Sequence, residues 1–101
     1  MNLQLAKKRI TELQHFVDLV ENYETVDFKT HVIKGYATTG SLEKTAAKMN
    51  EFGFQVDDRE IIKDDIVGVI NTKVRYVDEL HRLMRLAYRK KIKNNKVELF
   101  M

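Results

Sequence analysis

Not one of the chain's 101 residues is proline. Proline breaks a helix from within, because it lacks the N–H and its ring strikes the preceding turn. Without it, a helical pattern runs on until glycine or a capping side chain stops it, so long helices are open to this chain. Cysteine is missing too, which removes disulfide staples, thiolate metal sites and cysteine nucleophiles. A chain of this length makes one domain, spanning residues 1–101, stabilised by helix packing or by association with another chain. Its 44% hydrophobic and 33% charged residues suit a folded protein with broad polar helix faces. No apolar run approaches the roughly 18 residues of a membrane span. The opening Met1–Arg9 carries its cations after the apolar residues, unlike a signal peptide. A cytoplasmic protein with no membrane partner is expected.

Periodicity predicts an all-α fold, a small bundle of about five helices. Residues 2–22 read as one helix, because Leu3, Ala6, Ile10, Leu13, Val17 and Val20 alternate spacings of three and four. That stripe suits either a dimer seam, with Leu3, Ile10, Leu13, Val17 and Val20 as its contacts, or an ordinary core face. Residues 27–38 are rich in β-branched side chains. The turn Thr39-Gly40-Ser41 that follows still favours a helix there, with Gly40 free for positive φ and Ser41 placed to cap the next helix. That helix, about 42–52, presents Leu42, Thr45, Ala46, Met49 and Phe52 on one side. Asp57 and Glu60 have capping-box spacing. They precede a helix within 58–72 that turns Ile62, Ile66, Val69 and Ile70 inward. A last helix is predicted over 74–94 on the stripe Val77, Leu80, Met84 and Ala87, with Asn94-Asn95 as its stop. The ending Val97–Met101 is apolar and is expected either to pack on the body or to contact something else.

The segment Tyr36-Ala37-Thr38-Thr39-Gly40-Ser41-Leu42-Glu43-Lys44-Thr45-Ala46 resembles the first two helices of helix-turn-helix DNA-binding domains. In those a Thr-Gly-Ser turn precedes a helix with a small residue near its middle, here Ala46. The continuation Ala46-Ala47-Lys48-Met49-Asn50-Glu51-Phe52-Gly53 is similar to the Ala-x-x-Leu-Asn-x-x-Gly of DNA-binding regions in serine recombinases. The resemblance covers residues 28–72 and implies a trihelical unit that reads duplex DNA. Gly53 follows Ala46 by seven positions, so a long connection to the third helix is expected. If that third helix enters the major groove, its expected contacts are Lys63, Gly68, Asn71, Thr72 and Lys73. Lys44 and Lys48 join them from the preceding helix.

Charge is an independent signal. Nine basic residues lie between Lys73 and Lys96, opposed by Asp78 and Glu79 alone, for a local net of +7. The whole chain carries +3, so everything else sums to −4. Arg82, Arg85 and Arg89 fall on one helical face, which Lys93 extends, with Arg75 and Lys90 nearby. Such a run of cations either tracks a phosphate backbone or is a solvated surface favoured by the helix dipole. Residues 57–65 oppose five acids to Arg59 and Lys63, a local −3 where DNA would approach.

Enzyme chemistry finds no foothold. His15, His31 and His81 sit on separate elements at no metal-ligand spacing. The pairs Asp57-Asp58, Asp64-Asp65 and Asp78-Glu79 diverge by about 100° on a helix, and capping explains them better than acid–base work. No glycine-rich phosphate loop or nucleophile elbow occurs. No metal, cofactor or small-molecule substrate is expected. The leading expectation is a homodimeric DNA-binding protein, either a transcriptional regulator or an accessory factor of a phage or mobile element. The alternative is a helical protein-interaction module, an adaptor or inhibitor that docks an acidic partner without nucleic acid.

Overall fold

A computed structural model describes the backbone of residues 1–99 and the side chains of residues 1–94. Five helices follow one another: α1 (Leu3–Glu21), α2 (Phe28–Thr39), α3 (Leu42–Glu51), α4 (Lys63–Ile70) and α5 (Glu79–Leu99). They form a small all-α bundle with no strand among the described residues. None of these helices is long and apolar enough to cross a membrane.

The core forms where α2, α3 and α4 pack on one another and α5 crosses α2 and α4. Val32, Ile33 and Tyr36 of α2 meet Ala46 and Met49 of α3, Ile66 and Ile70 of α4, and Leu80 and Met84 of α5. Segment 28–39 is helical despite its β-branched content, because burial and capping outweigh the small propensity differences. Asp27 caps α2 by accepting from Thr30 N at 2.9 Å, and the Thr30 hydroxyl accepts in return from Asp27 N. The bond from Thr30 N, together with one that the Thr30 hydroxyl donates to the same carboxylate oxygen, holds the Asp27 carboxyl below the usual carboxylate range. A group with a lowered folded-state pKa stabilises above its unfolded pKa, and that stability is lost as pH falls through the folded value. Asp27→Ala is therefore expected to cost about 1 kcal/mol at neutral pH, or about 4–8 °C in melting midpoint. Thermal circular dichroism at a series of pH values should show the gap from wild type narrowing below about pH 4.

The turn between α2 and α3 forms as its residues predict. Gly40 takes φ 66°, and the Ser41 hydroxyl accepts from Lys44 N at 3.2 Å. The two helices approach so closely that a Cβ at Gly35 would lie 3.1 Å from the Thr45 methyl. Thr45 is itself fully buried, its hydroxyl donating to Ser41 O at 2.7 Å.

Between α3 and α4 the local expectations fail. Phe52, assigned to the core side, caps α3 and is largely exposed, its ring tilted against His31. Asp57 and Glu60 make no capping box. Asp57 and Asp58 instead occupy the two positive-φ positions of a tight turn, with φ 52° and 61°. That turn is closed by hydrogen bonds in both directions between Val56 and Arg59. The helix begins later, at Lys63, where Asp65 reaches back to accept from Ile62 N at 2.9 Å. This later start makes Ile61 the buried residue and leaves Ile62 half exposed, reversing the predicted assignment. Asn50 holds the connection in place. Its amide donates to Ile61 O at 2.9 Å and its side-chain oxygen accepts from Ile61 N at 2.7 Å. Asn50→Ala would orphan both backbone groups of a buried residue and is expected to cost about 2–4 kcal/mol, measured by urea unfolding.

The start of α5 is displaced in the same way. Residues 74–78 are loop, and Val77 points to solvent. Asp78 decides the start by accepting from His81 N at 3.0 Å. Its other carboxylate oxygen accepts from the Tyr23 hydroxyl at 2.8 Å, tying the α1–α2 connection to α5. Ala87, also placed on the inner stripe, is exposed. Asn94 and Asn95 do not stop the helix, which runs on to Leu99. Asn costs a helix interior only a few tenths of a kcal/mol, and no glycine or proline follows it. The apolar side chains expected of Val97–Met101 lie outside the described ones.

Helix α1 stands apart. It has no buried residue and touches the body through Phe16, Leu19 and Val20 at its C-terminal half. Its 19 residues span about 28 Å, so its N-terminal half projects from the bundle. The radius of gyration is accordingly 15.4 Å, against about 13 Å for a compact domain of this length.

Candidate nucleic-acid interface

Four of the nine cations of residues 73–96, all arginines, gather in one place. The α4–α5 loop folds back along α5, and the two enclose a groove of about 330 Å³ whose polar lining is Arg75, Tyr76, Asp78, Arg82, Arg85 and Arg89. Three of these guanidinium groups share the α5 face because 82, 85 and 89 follow the helical repeat. Arg75 joins them because the loop reverses direction before Asp78. Two acids stand against the group: Asp78 lines the same groove, its carboxylate accepting from the Tyr23 hydroxyl and His81 N, and Glu79 lies 3.9 Å from Arg82. No other ion pair reaches the four arginines among the described residues. Arg85 Nε is buried and meets no acceptor there. An unmatched buried donor of this kind costs free energy. Tyr76 lies fully exposed at the lip of the groove, an aromatic face among cations.

The other predicted site residues divide into three groups. Asn71, Thr72 and Lys73 are exposed at the end of α4 and lead directly into the groove-lining loop. Lys90 and Lys93 are exposed further along α5. Lys93 continues the arginine face, and Lys90 is turned about 100° from Arg89. Lys63, Lys44 and Lys48 do not join the groove. Lys63 begins α4, at the end remote from Asn71. Lys44 is exposed on α3, and Lys48 lines a separate cleft between α2 and α3 with His31 and Lys34.

Part of the acidic segment before α4 is matched internally. Arg59 donates to both carboxylate oxygens of Asp65 at 2.7 and 2.8 Å, which holds that carboxyl below its usual range. A larger cleft, about 520 Å³, opens between the end of α1 and the start of α5. Asp18, Glu24, Asp78 and Glu79 line it against His15 and Arg75, a balance that repels phosphate. His15 Nε2 lies 3.1 Å from Glu79 Oε1 across it. No group of three or more His, Asp or Glu able to hold a metal ion occurs among the described residues. Fully buried His81 has a structural place, its Nε2 lying 2.9 Å from Ile70 O and so carrying the proton.

Sequence reasoning missed Tyr76 and the part Asp78 plays. Tyr76 sits outside every helical stripe, and its only local signal was an aromatic residue next to Arg75. What the groove offers chemically is several fixed positive charges with hydrogen-bond donors beside one aromatic face and one carboxylate, Asp78. The fold and this groove define the class as a small all-α protein with a segregated arginine groove. No protein-family profile matches the chain, and no curated protein or solved structure matches it either.

Proposed function

We propose that the protein binds duplex DNA as a homodimer, acting as a transcriptional regulator or as an accessory factor of a phage or mobile element. The observation that carries this reading is the gathering of Arg75, Arg82, Arg85 and Arg89 around one groove, where four guanidinium groups face one lining carboxylate, Asp78, and one ion-pair partner, Glu79, among the described residues. Four guanidinium groups along a helix and its adjoining loop match successive phosphates, and each neutralised phosphate releases counterions. The mutual packing of α2, α3 and α4, with Ala46 buried and the Gly40–Ser41 turn between the first two, supports a helix-turn-helix role for residues 28–72. In that role Asn71, Thr72 and Lys73 carry the base-edge or phosphate contacts nearest the groove, and Lys63, Lys44 and Lys48 lie on its outskirts. The bare apolar stripe of α1 supports the dimer.

Selection of binding sites from random duplexes at moderate salt tests the reading. It expects one enriched motif and an affinity that falls steeply as salt rises. Absence of enrichment together with a salt-independent affinity would overturn it. The protein-interaction reading draws on the same α1 stripe. It expects a bound acidic protein whose recovery is unchanged by nuclease treatment.

A further inference from the structure

The face that α1 leaves bare has a property that the dimer reading alone does not require. Leu3, Ile10, Leu13 and Val17 are 70%, 66%, 64% and 42% exposed. They occupy a side of the helix roughly a third of its circumference away from Phe16 and Leu19, which grip the body, and Val20, which also packs on the body, lies at the border between the two faces. One helix therefore carries two apolar faces, one used within the chain and one unused.

From this arrangement we infer that two copies join through α1 in antiparallel orientation about a two-fold axis near Thr11 and Glu12; the inference rests on the homodimer reading. The spacing makes the seam self-complementary. Leu3 falls opposite the partner's Val20, Ala6 opposite the partner's Val17, and Ile10 opposite the partner's Leu13, with the same three layers repeated in reverse. Charge selects this direction over the parallel one. Lys7, Lys8 and Arg9 are the only Lys or Arg residues of α1 and lie in its first half, whereas Asp18 and Glu21 lie in its second, with Glu12 at the middle. A parallel pair would set the two basic trios side by side. The antiparallel pair sets each trio beside the partner's acidic end, with Lys7 and Glu21 on the same edge of the seam. Each body is attached at the C-terminal half of its α1, so the antiparallel pair also carries the two bodies at opposite ends of the rod.

Because the chain has no cysteine, disulfide trapping reads the orientation cleanly. Ala6→Cys and Val17→Cys variants, mixed and oxidised, are expected to link to one another, while neither links to itself. In the antiparallel pair equal positions lie about 16 Å apart along the axis, beyond disulfide reach. Sedimentation equilibrium of the wild type should approach twice 11.9 kDa with rising concentration. The Ile10→Glu, Leu13→Glu double variant should stay monomeric with an unchanged helical spectrum, since both side chains are exposed in the single chain. Self-linked Ala6→Cys and Val17→Cys dimers would overturn the antiparallel arrangement and leave the dimer standing. A wild type that stays monomeric at every concentration would overturn both.

Discussion

Reversing Arg82, Arg85 and Arg89 together to glutamate is expected to weaken binding to duplex DNA about a thousandfold at low salt. Each guanidinium–phosphate contact is worth ~1.4 kcal/mol or more, a factor of ten, and the three act on neighbouring phosphates. The slope of log affinity against log salt should become shallower by about three, because each contact contributes ~0.9 to it. Fluorescence anisotropy of a labelled duplex over a salt series measures both quantities. Reversing Lys8 and Lys29, which lie outside the groove, should cost less than about tenfold, since screening weakens charges more than a Debye length from the phosphates. If the two sets of reversals cost the same, net charge explains the binding and the groove does not. Tyr76→Ala makes a sharper probe, because it removes a fully exposed ring without touching the core. Any loss of affinity in that variant belongs to the groove rather than to folding.

Ile66→Ala should have the largest effect on stability. Ile66 is fully buried on α4, the eight-residue helix that packs on α2, α3 and α5. Removing three buried carbons leaves a cavity that so short a helix cannot close without losing its other contacts. The expected cost is about 3–4 kcal/mol, which at about 4–8 °C per kcal/mol lowers the melting midpoint by ~12–30 °C. Thermal circular dichroism reads the shift, with Tyr76→Ala as the unshifted control. A drop smaller than that of Asp27→Ala would mean that α4 is not held by its core face.

The arginine reversals and Ile66→Ala separate the protein's parts: the first should weaken binding while leaving the fold intact, and the second should loosen the fold while leaving the arginines in place. If α4 supplies base contacts, Ile66→Ala should also reduce affinity at temperatures well below its midpoint, because the end of α4 leads into the groove-lining loop.

What could be read from residues alone was whatever depends on neighbours a few positions apart. The five helices, the α1 stripe, the Gly40–Ser41 turn, the buried Ala46 and the shared face of Arg82, Arg85 and Arg89 all follow from helical repeat, capping chemistry and side-chain size. Those forces act within one or two turns and need no knowledge of the rest of the chain. Tertiary packing settled every contest between comparable local signals. Asp65 prevailed over Glu60 in capping the start of α4, and so moved the core contact from Ile62 to Ile61. Asp78, held from across the molecule by Tyr23, delayed α5 until Glu79 and freed residues 74–78 to bring Arg75 and Tyr76 beside its arginines. These outcomes turn on energies of about 1 kcal/mol between residues as many as 55 positions apart. Only the folded arrangement of α2, α4 and α5 brings such partners within reach of one another.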